Sequence, residues 1–136
     1  MSRFATRTLA IDRDVVAPDG SDVRLLLGLD GGGMAHFELA PGETARAVRH
    51  PRVEEIWFVL SGRGEMWRLQ DSREEIVTLE PGVCLSIPVG THFQFRAFGS
   101  QPLGVVGVTM PPWKDDSDAV QVEGRWKPTL PRRSTI

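Results

Sequence analysis

The chain has 136 residues, of which 40% are hydrophobic and 25% charged, so its composition is that of one globular domain and not of a disordered segment. Lys and Arg number 16 against 18 Asp and Glu, and a net charge of -2 gives no reason to expect nucleic acid or an anionic membrane as a partner. A single cysteine excludes an intrachain disulfide, and without a long apolar run we expect a cytoplasmic protein that has neither a signal peptide nor a membrane span.

Turn-forming Gly, Pro, Asp and Ser residues recur along the chain, and the segments between them have the usual strand length of about 5–8 residues. None of these segments reaches the roughly 10–12 residues of an ordinary helix. Many short strands punctuated by Gly and Pro are typical of a sandwich or barrel, so the pattern predicts an all-β fold. The predicted strands cover residues 6–11, 23–29, 34–40, 45–49, 54–60, 65–69, 74–79, 84–88, 92–98 and 103–109.

Alternation of side-chain type predicts which residues face the interior of that barrel. In the segment 92–98, Phe93 and Phe95 share one face, and Gln94 and Arg96 share the other. The segment 56–60 is apolar throughout, which predicts a central strand covered on both faces.

The chain divides into an N-terminal strand or arm over residues 1–20, a barrel over 21–110 and an irregular C-terminal arm over 111–136. The last of these is rich in Pro, Trp and charged residues and shows no regular period. We expect it to lie over the barrel, anchored by Trp113 and Trp126, with disorder at its final few residues.

Two windows, 42–62 and 82–97, contain Gly, Pro, His and Glu at regular spacings. The residues that carry the pattern are Gly42, His50, Glu55, Gly62, Gly82, Pro88 and Gly90. Their spacing resembles the two motifs of the cupin superfamily, in which a His-x-His pair and a Glu precede a second motif that carries a third His. The resemblance covers residues 28–110 and implies a double-stranded β-helix, the jelly-roll barrel of the cupin type.

Cupins of this kind usually hold Fe, Mn, Ni or Zn through three imidazoles and one carboxylate, so the resemblance implies a divalent transition metal. Carried over one by one, the four ligand positions fall on Val48, His50, Glu55 and Phe93, and the final Asn of the second motif falls on Ala97. Two of the four ligands are therefore missing, and only His50 and Glu55 remain as candidate metal ligands at motif positions.

A third ligand would have to come from His92 or His36, each of which precedes a Phe in its strand. Neighbours on a strand point to opposite faces, so both imidazoles are expected to point away from the interior. We therefore do not expect tight metal binding, and the sequence identifies no cofactor.

The same resemblance places a pocket at the barrel mouth, where His50 and Glu55 would face each other as a catalytic pair. Such a pair can transfer protons, and the carboxylate is expected to raise the pKa of the imidazole. Gln94 and Arg96 would also enter this pocket if the strand register shifted by one residue. The predicted pocket residues are Val48, Trp57, Trp67, Phe93, Phe95, Gln94 and Arg96.

The sequence is compatible with three functions. The first is an acid–base enzyme of the isomerase, cyclase, epimerase or lyase type that acts on a small organic molecule with His50 and Glu55. The second is a non-catalytic barrel that binds or senses a small molecule. A metal-dependent oxygenase ranks below both, and we expect a homodimer in which the N-terminal strand 4–11 contributes to the contact.

Overall fold

Short strands dominate residues 3–130, the part of the chain that the computed structural model describes. No α-helix occurs in this range, and a single 3₁₀ turn, Asp116–Asp118, is the one helical element there. None of its helical segments is long and apolar enough to cross a lipid bilayer. The strands are β1 (Val15–Val16), β2 (Asp22–Leu29), β3 (Gly32–Leu39), β4 (Val48–Arg49), β5 (Glu54–Ser61), β6 (Arg63–Gln70), β7 (Arg73–Leu79), β8 (Cys84–Ile87), β9 (His92–Phe98), β10 (Leu103–Met110) and β11 (Val120–Gln121).

The strands form two antiparallel sheets that enclose one apolar core. The six-stranded sheet has the order β1-β2-β3-β10-β5-β8, and the five-stranded sheet has the order β11-β4-β9-β6-β7. Trp57 from the first sheet and Met66 and Phe95 from the second are among the fully buried side chains between them. Since consecutive strands cross between the sheets, the architecture is a jelly roll, and the predicted all-β fold is confirmed.

The N-terminal segment differs from its prediction, because residues 6–11 form no strand. The segment lies beside β2, but it is held by side chains: the guanidinium of Arg24 donates to the carbonyl of Ile11 at 2.7 Å. The ladder starts only at β1, which pairs with the first residues of β2. The predicted strand 45–49 is likewise reduced to β4, and β11 was not predicted.

Strand β5 corrects a second prediction. Its inward residues Trp57 and Val59 are buried, but Ile56, Phe58 and Leu60 are 47%, 44% and 46% exposed. The prediction that segment 56–60 is covered on both faces is therefore wrong for the single chain, since nothing in residues 3–130 covers the outer face of the six-stranded sheet here.

The C-terminal arm covers the outer face of the other sheet. The side-chain amide of Gln94 donates to the carbonyls of Ala45 and Trp126, and it accepts the backbone N–H of Trp126. The guanidinium of Arg96 lies 4.1 Å from the centroid of the Trp126 ring. The predicted disorder of the last residues falls on 131–136, which lie outside the described residues.

Gly62, which links β5 to β6, has a conformation and a position that no side chain tolerates. Its φ is +79°, in the left-handed region that L-residues avoid, and a Cβ built on it would lie 2.3 Å from the carbonyl oxygen of Pro102. The motif glycine is therefore explained by the backbone alone.

We expect Gly62→Ala to destabilise the protein by about 2–4 kcal/mol, because left-handed strain adds to a backbone clash that cannot relax. Gly31→Ala is the matched control, since a Cβ there meets nothing within 4 Å. Chemical denaturation of both variants measures the difference, and equal unfolding free energies would contradict the explanation.

Candidate functional site

A cavity of about 110 Å³ opens at one end of the barrel between the two sheets. Four aromatic rings form much of its wall: Phe37, Trp57, Phe93 and Trp113. The polar lining is small and consists of Asp19, His50, Glu55, Thr109 and Asp116. Since a cavity of about 150 Å³ takes up benzene, this smaller one has room for a molecule of roughly four or five heavy atoms.

Glu55 projects from β5 into this cavity and is fully buried. The indole N–H of Trp57, two residues along the same face of the strand, donates to Oε2 at 2.5 Å. Burial raises the pKa of the carboxyl to about 8, the indole hydrogen bond opposes this rise, and the nearby carboxyl of Asp19 adds to it. A pKa of about 8 favours the protonated carboxyl at neutral pH. Since the carbonyl oxygen is the better acceptor of a protonated carboxyl, the indole N–H on Oε2 favours the proton on Oε1.

His50 follows β4 and is held between two aromatic rings. The Phe93 ring lies edge-on at 5.1 Å between centroids, and the Trp113 ring lies edge-on at 5.3 Å from the other side. Burial lowers the pKa of the imidazole to about 4, although the negative charge of Asp118 partly opposes this. Its Nδ1 is buried and has no hydrogen-bond partner in the described part of the chain.

Nδ1 of His50 and Oε1 of Glu55 face each other at 3.9 Å. This distance would suit an ion pair, but burial favours the neutral form of both groups, so we describe the pair as uncharged. The expectation that the Glu55 carboxylate raises the imidazole pKa is wrong, because desolvation is the largest cause of the shift and the charge that opposes it is that of Asp118. The gap is too long for a direct hydrogen bond, but one oxygen atom could lie about 2.8 Å from each.

Asp19 is a cavity residue that the sequence did not reveal. Its carboxylate accepts the backbone N–H of Ser21 at 2.9 Å and its hydroxyl at 2.6 Å, and burial raises its pKa. The sequence around it, Pro-Asp-Gly-Ser, is that of an ordinary exposed turn. Only the packing of this turn against the barrel mouth brings the carboxyl inside.

Three predicted pocket residues, Val48, Trp57 and Phe93, do line the cavity. Phe95 was also predicted to line it, but its ring packs against Trp57 at 5.0 Å within the core below the cavity. Phe37, whose ring stacks on Trp57 at 5.4 Å, completes the wall and was not predicted as a pocket residue.

The prediction that Trp67, Gln94 and Arg96 line the pocket is wrong. Trp67 pairs with Gln94 across β6 and β9, and both project from the outer face of the five-stranded sheet. The indole N–H of Trp67 donates to Glu74 at 2.8 Å, and Arg96 binds Glu65. No register shift occurs in this ladder, so strict alternation keeps these side chains outside.

The donors at the cavity do not fit the metal that the motif resemblance implies. Only His50 and Glu55 occupy ligand positions, and the Phe93 ring fills a third and packs on the imidazole. His92 projects outward from β9, and His36 lies on the outer face of β3. Among residues 3–130, no three His, Cys, Asp or Glu side chains are close enough to hold one metal ion together. One imidazole and one carboxyl fall short of the three or four ligands that such metals need.

Residues 112–119, which we name the strap, bring Trp113 to His50 across the cavity mouth. Arg52 fixes the strap, because its guanidinium donates to both carboxylate oxygens of Asp118 at 2.8 Å and to the carbonyl of Pro112 at 3.0 Å. Asp118 also accepts the backbone N–H of Lys114 at 2.7 Å, and the guanidinium lowers its pKa to about 2. The strap therefore shields the imidazole from water.

Comparison with known proteins identifies the class to which this barrel belongs. The family model for the cupin domain matches residues 35–109, which is more than half of the chain. The chain therefore belongs to the cupin family, as the spacing of its Gly, Pro and Glu residues predicted.

Solved structures with the same fold span several kinds of protein. A Bacillus halodurans protein is 22% identical, with 78% of this chain and 79% of that chain covered at a TM-score of 0.62. An uncharacterized conserved protein from Klebsiella pneumoniae, with a double-stranded β-helix domain, is 20% identical over 67% and 72% of the two chains, with a TM-score of 0.58.

An oxalate decarboxylase variant from Bacillus subtilis is 15% identical, with 81% of this chain and 30% of that chain covered at a TM-score of 0.66. This chain thus spans less than a third of the oxalate decarboxylases that it resembles. At these identities the likeness establishes the double-stranded β-helix fold alone. Among proteins of curated function, none matches the sequence.

The buried pair predicts how stability depends on pH. Glu55 binds its proton more tightly in the native state, so it makes stability fall with rising pH between 4.5 and about 8. His50 binds its proton less tightly in the native state, so it makes stability rise between about 4 and 6.5. Within this pair the two effects cancel between pH 4.5 and 6.5, and only the loss due to Glu55 remains above 6.5. The buried carboxyl of Asp19, whose pKa is also raised, adds a loss of the same sign.

We therefore expect the unfolding free energy of the wild type to fall between pH 6.5 and 8, with Glu55 contributing up to about 1.4 kcal/mol per pH unit. Glu55→Gln removes this contribution and makes the slope shallower, whereas Glu54→Gln, on the exposed face of the same strand, retains it. Denaturant titrations at several pH values test this, and a wild-type curve that stays flat above pH 6.5 would contradict a buried neutral carboxyl.

The strap predicts a separate measurement. Trp113→Ala should raise the pKa of His50 from about 4 by about one unit or more, because water regains access to the imidazole. Trp126→Ala, which alters the arm on the opposite face, should leave that pKa in place. Nuclear magnetic resonance titration of the imidazole C–H signals measures both, and an unchanged pKa in Trp113→Ala would exclude shielding by the strap.

Proposed function

We propose that the barrel binds a small uncharged organic molecule and catalyses proton transfer on it, with Glu55 as the acid and His50 as the base. The observation that carries the proposal is the placement of Oε1 and Nδ1 across a 3.9 Å gap inside an aromatic cavity. Two titratable groups that converge in a buried cleft are typical of acid–base sites.

The lining of the cavity supports an uncharged ligand. Among the described residues, no Lys or Arg lines it, whereas three carboxyl groups, those of Asp19, Glu55 and Asp116, do. A dicarboxylate such as oxalate would find no cation there and would lie near several acids. The four rings suit a compact carbon skeleton that carries one carbonyl or hydroxyl group.

Glu55 and His50 differ in the direction in which burial shifts their pKa values, which supports the assignment of roles. In an enolisation, Glu55 would donate the proton on Oε1 to a carbonyl oxygen while Nδ1 of His50 takes a proton from the adjacent carbon. The C–H bond breaks, a C=C bond forms and the carbonyl becomes a hydroxyl. When the substrate carries a second double bond, the imidazolium of His50 returns its proton to a different carbon of the conjugated dienol, and the enol hydroxyl returns its proton to Oε1 of Glu55. This gives an isomer and restores both side chains.

A non-catalytic binding barrel is the second candidate, and the surroundings of His50 favour it. The two rings that hold the imidazole lower its pKa to about 4, which makes it a weak base. A metal-dependent oxygenase is not proposed, because the donor set does not fit a transition metal.

Butanone, an uncharged enolisable ketone of suitable size, and oxalate are the probes that test the proposal. Calorimetry should detect butanone binding to the wild type and to Glu55→Gln, since the amide can still donate a hydrogen bond. Incorporation of deuterium at the α-carbons in heavy water should be lost about 100-fold in Glu55→Gln and in His50→Gln.

Glu54→Gln and His92→Gln are the matched controls, because both side chains lie outside the cavity. Binding of the ketone without exchange in the wild type would favour the non-catalytic barrel. Preferential binding of oxalate would overturn the uncharged ligand, and with it the proposed function.

A further inference from the structure

A second cavity, separate from the one at the barrel mouth, opens where the two sheets part at their edge strands. β7 ends the order of the five-stranded sheet and β8 ends that of the six-stranded sheet, and no ladder joins the two in the described part of the chain. The cavity holds about 190 Å³, against about 110 Å³ for the barrel cavity, and no residue lines both. We name it the side cleft and define it by Arg68, Gln70, Arg73, Glu75, Pro88 and Thr91.

The ladder of β6 shows that charged residues of the side cleft lie on the inner face of their sheet. Arg68 pairs with Glu75 of β7 and with Phe93 of β9, whose ring lines the barrel cavity. Paired residues project from the same face of a sheet, so Arg68 and Glu75 face inward, and Arg68 follows the fully buried Met66 on that face. The inner faces of packed sheets are normally apolar, so the packing of the core does not explain these two charges.

Arg68 is held in place by contacts from both sheets. Its Nη1 donates to the carbonyl of Ser86 in β8 at 2.8 Å, and its Nη2 donates to the carboxylate of Glu75 at 3.0 Å. These two bonds fix the direction of the guanidinium, and only 22% of the side chain is exposed. A charged group that is oriented before a ligand arrives loses little freedom when the ligand binds.

The charges of the side cleft do not balance. The carboxylate of Glu75 binds Arg68 through Oε1, and its Oε2 lies 3.5 Å from Nη2 of Arg73. Two guanidinium groups against one carboxylate leave the cleft with one positive charge in excess, since its other lining residues are uncharged. The barrel cavity has the opposite character, because its described lining includes carboxyl groups but neither Lys nor Arg. The two cavities therefore suit different ligands.

Thr91 provides a second, independent observation that points to a ligand. It lies in the turn between β8 and β9, lines the side cleft and is only 2% exposed. Its hydroxyl has no hydrogen-bond partner within residues 3–130. Nearly all buried hydroxyl groups have such a partner, so a polar group from outside the described chain accounts best for this one.

We propose that the side cleft binds a small, singly charged organic acid, whose carboxylate lies against Arg68 and Arg73. A guanidinium can donate two parallel N–H bonds to one carboxylate, and one negative charge balances the excess charge of the cleft. Gln70 and Pro88 offer an amide and an apolar ring to the rest of the molecule. Since a cavity of about 150 Å³ takes up benzene, one of about 190 Å³ has room for roughly seven or eight heavy atoms. This site does not depend on the proposed proton transfer, because it shares no lining residue with the barrel cavity.

Calorimetry with 3-hydroxybutyrate, an acid of about that size, tests the proposal in a buffer of low ionic strength. The wild type should bind it with a dissociation constant below about 1 mM. Arg68→Gln and Arg73→Gln should each weaken binding at least about ten-fold, because each removes a charge that faces the carboxylate. Glu75→Gln should strengthen binding about five-fold or more, because it removes the competing carboxylate. Arg63→Gln, on the same strand β6 but outside the side cleft, is the matched control and should bind like the wild type.

The uncharged amide of the same acid should bind at least about ten-fold more weakly than the acid, because it lacks the charge that the two guanidinium groups recognise. Glu55→Gln should bind the acid like the wild type, so failure of the side cleft and failure of the proposed proton transfer are distinguishable. Circular dichroism verifies that each variant is folded, and Arg73→Gln changes a side chain that is 79% exposed. No detectable binding to the wild type at about 10 mM acid, an affinity that Arg73→Gln leaves unchanged, or tighter binding of inorganic phosphate would overturn the proposal.

Discussion

One hydrogen bond inside the barrel, from the indole N–H of Trp57 to Oε2 of Glu55, determines how the cavity is arranged. The indole cannot move aside, because Phe37 stacks on it and Phe93 and Phe95 meet it edge-on. Since Oε2 accepts the indole N–H, the arrangement favours the carboxyl proton on Oε1, the oxygen that faces the imidazole. The packing of the rings around Trp57 therefore influences which oxygen of Glu55 can donate its proton.

This chain keeps the turn residues of the cupin motifs but lacks two of their four metal ligands. The physical reason is that the turn residues are required by the backbone. The motif glycines all adopt positive φ, which only a residue without Cβ takes up readily: Gly42, Gly62, Gly82 and Gly90. The backbone requires glycine at these positions whether or not the cavity holds a metal. The fold does not require a metal ligand at the ligand positions. Phe93 stands where the motif has a histidine, and its ring forms part of the aromatic wall of the cavity.

Local patterns predicted the strands and the direction of most side chains, because alternation within a strand needs no knowledge of distant residues. Phe93 pointing inward and Gln94 pointing outward follow from the sequence of β9 alone. The chemistry of His50 could not be predicted in this way, because its surroundings come from three separate places: β9, the strap and β5. The expected rise in its pKa considered only the neighbouring carboxyl and missed the desolvation that the two rings cause.

The coverage of β5 was mispredicted for a related reason. An all-apolar strand indicates that both faces are buried, but it does not indicate which molecule buries them. The five-stranded sheet receives the C-terminal arm through Gln94 and Trp126, whereas no such polar contact draws an arm onto the other sheet. The apolar pattern of β5 therefore predicts its buried inner face correctly and does not determine what lies against its outer face.

The neutrality of the buried pair restricts the chemistry that this cavity could support. A step that left a net charge between His50 and Glu55 would pay the desolvation penalty that already keeps both groups uncharged. A proton shift charges both groups but leaves no net charge, because Glu55 releases one proton as His50 takes up another. The opposite charges that form lie about 4 Å apart, and their attraction, worth about 4 kcal/mol at an effective dielectric constant of 20, offsets part of the penalty. Reactions that consume or release an anion have no such compensation in a cavity whose described lining includes carboxyl groups but neither Lys nor Arg. An isomerisation of a neutral molecule is thus the reaction class that the electrostatics of the site oppose least.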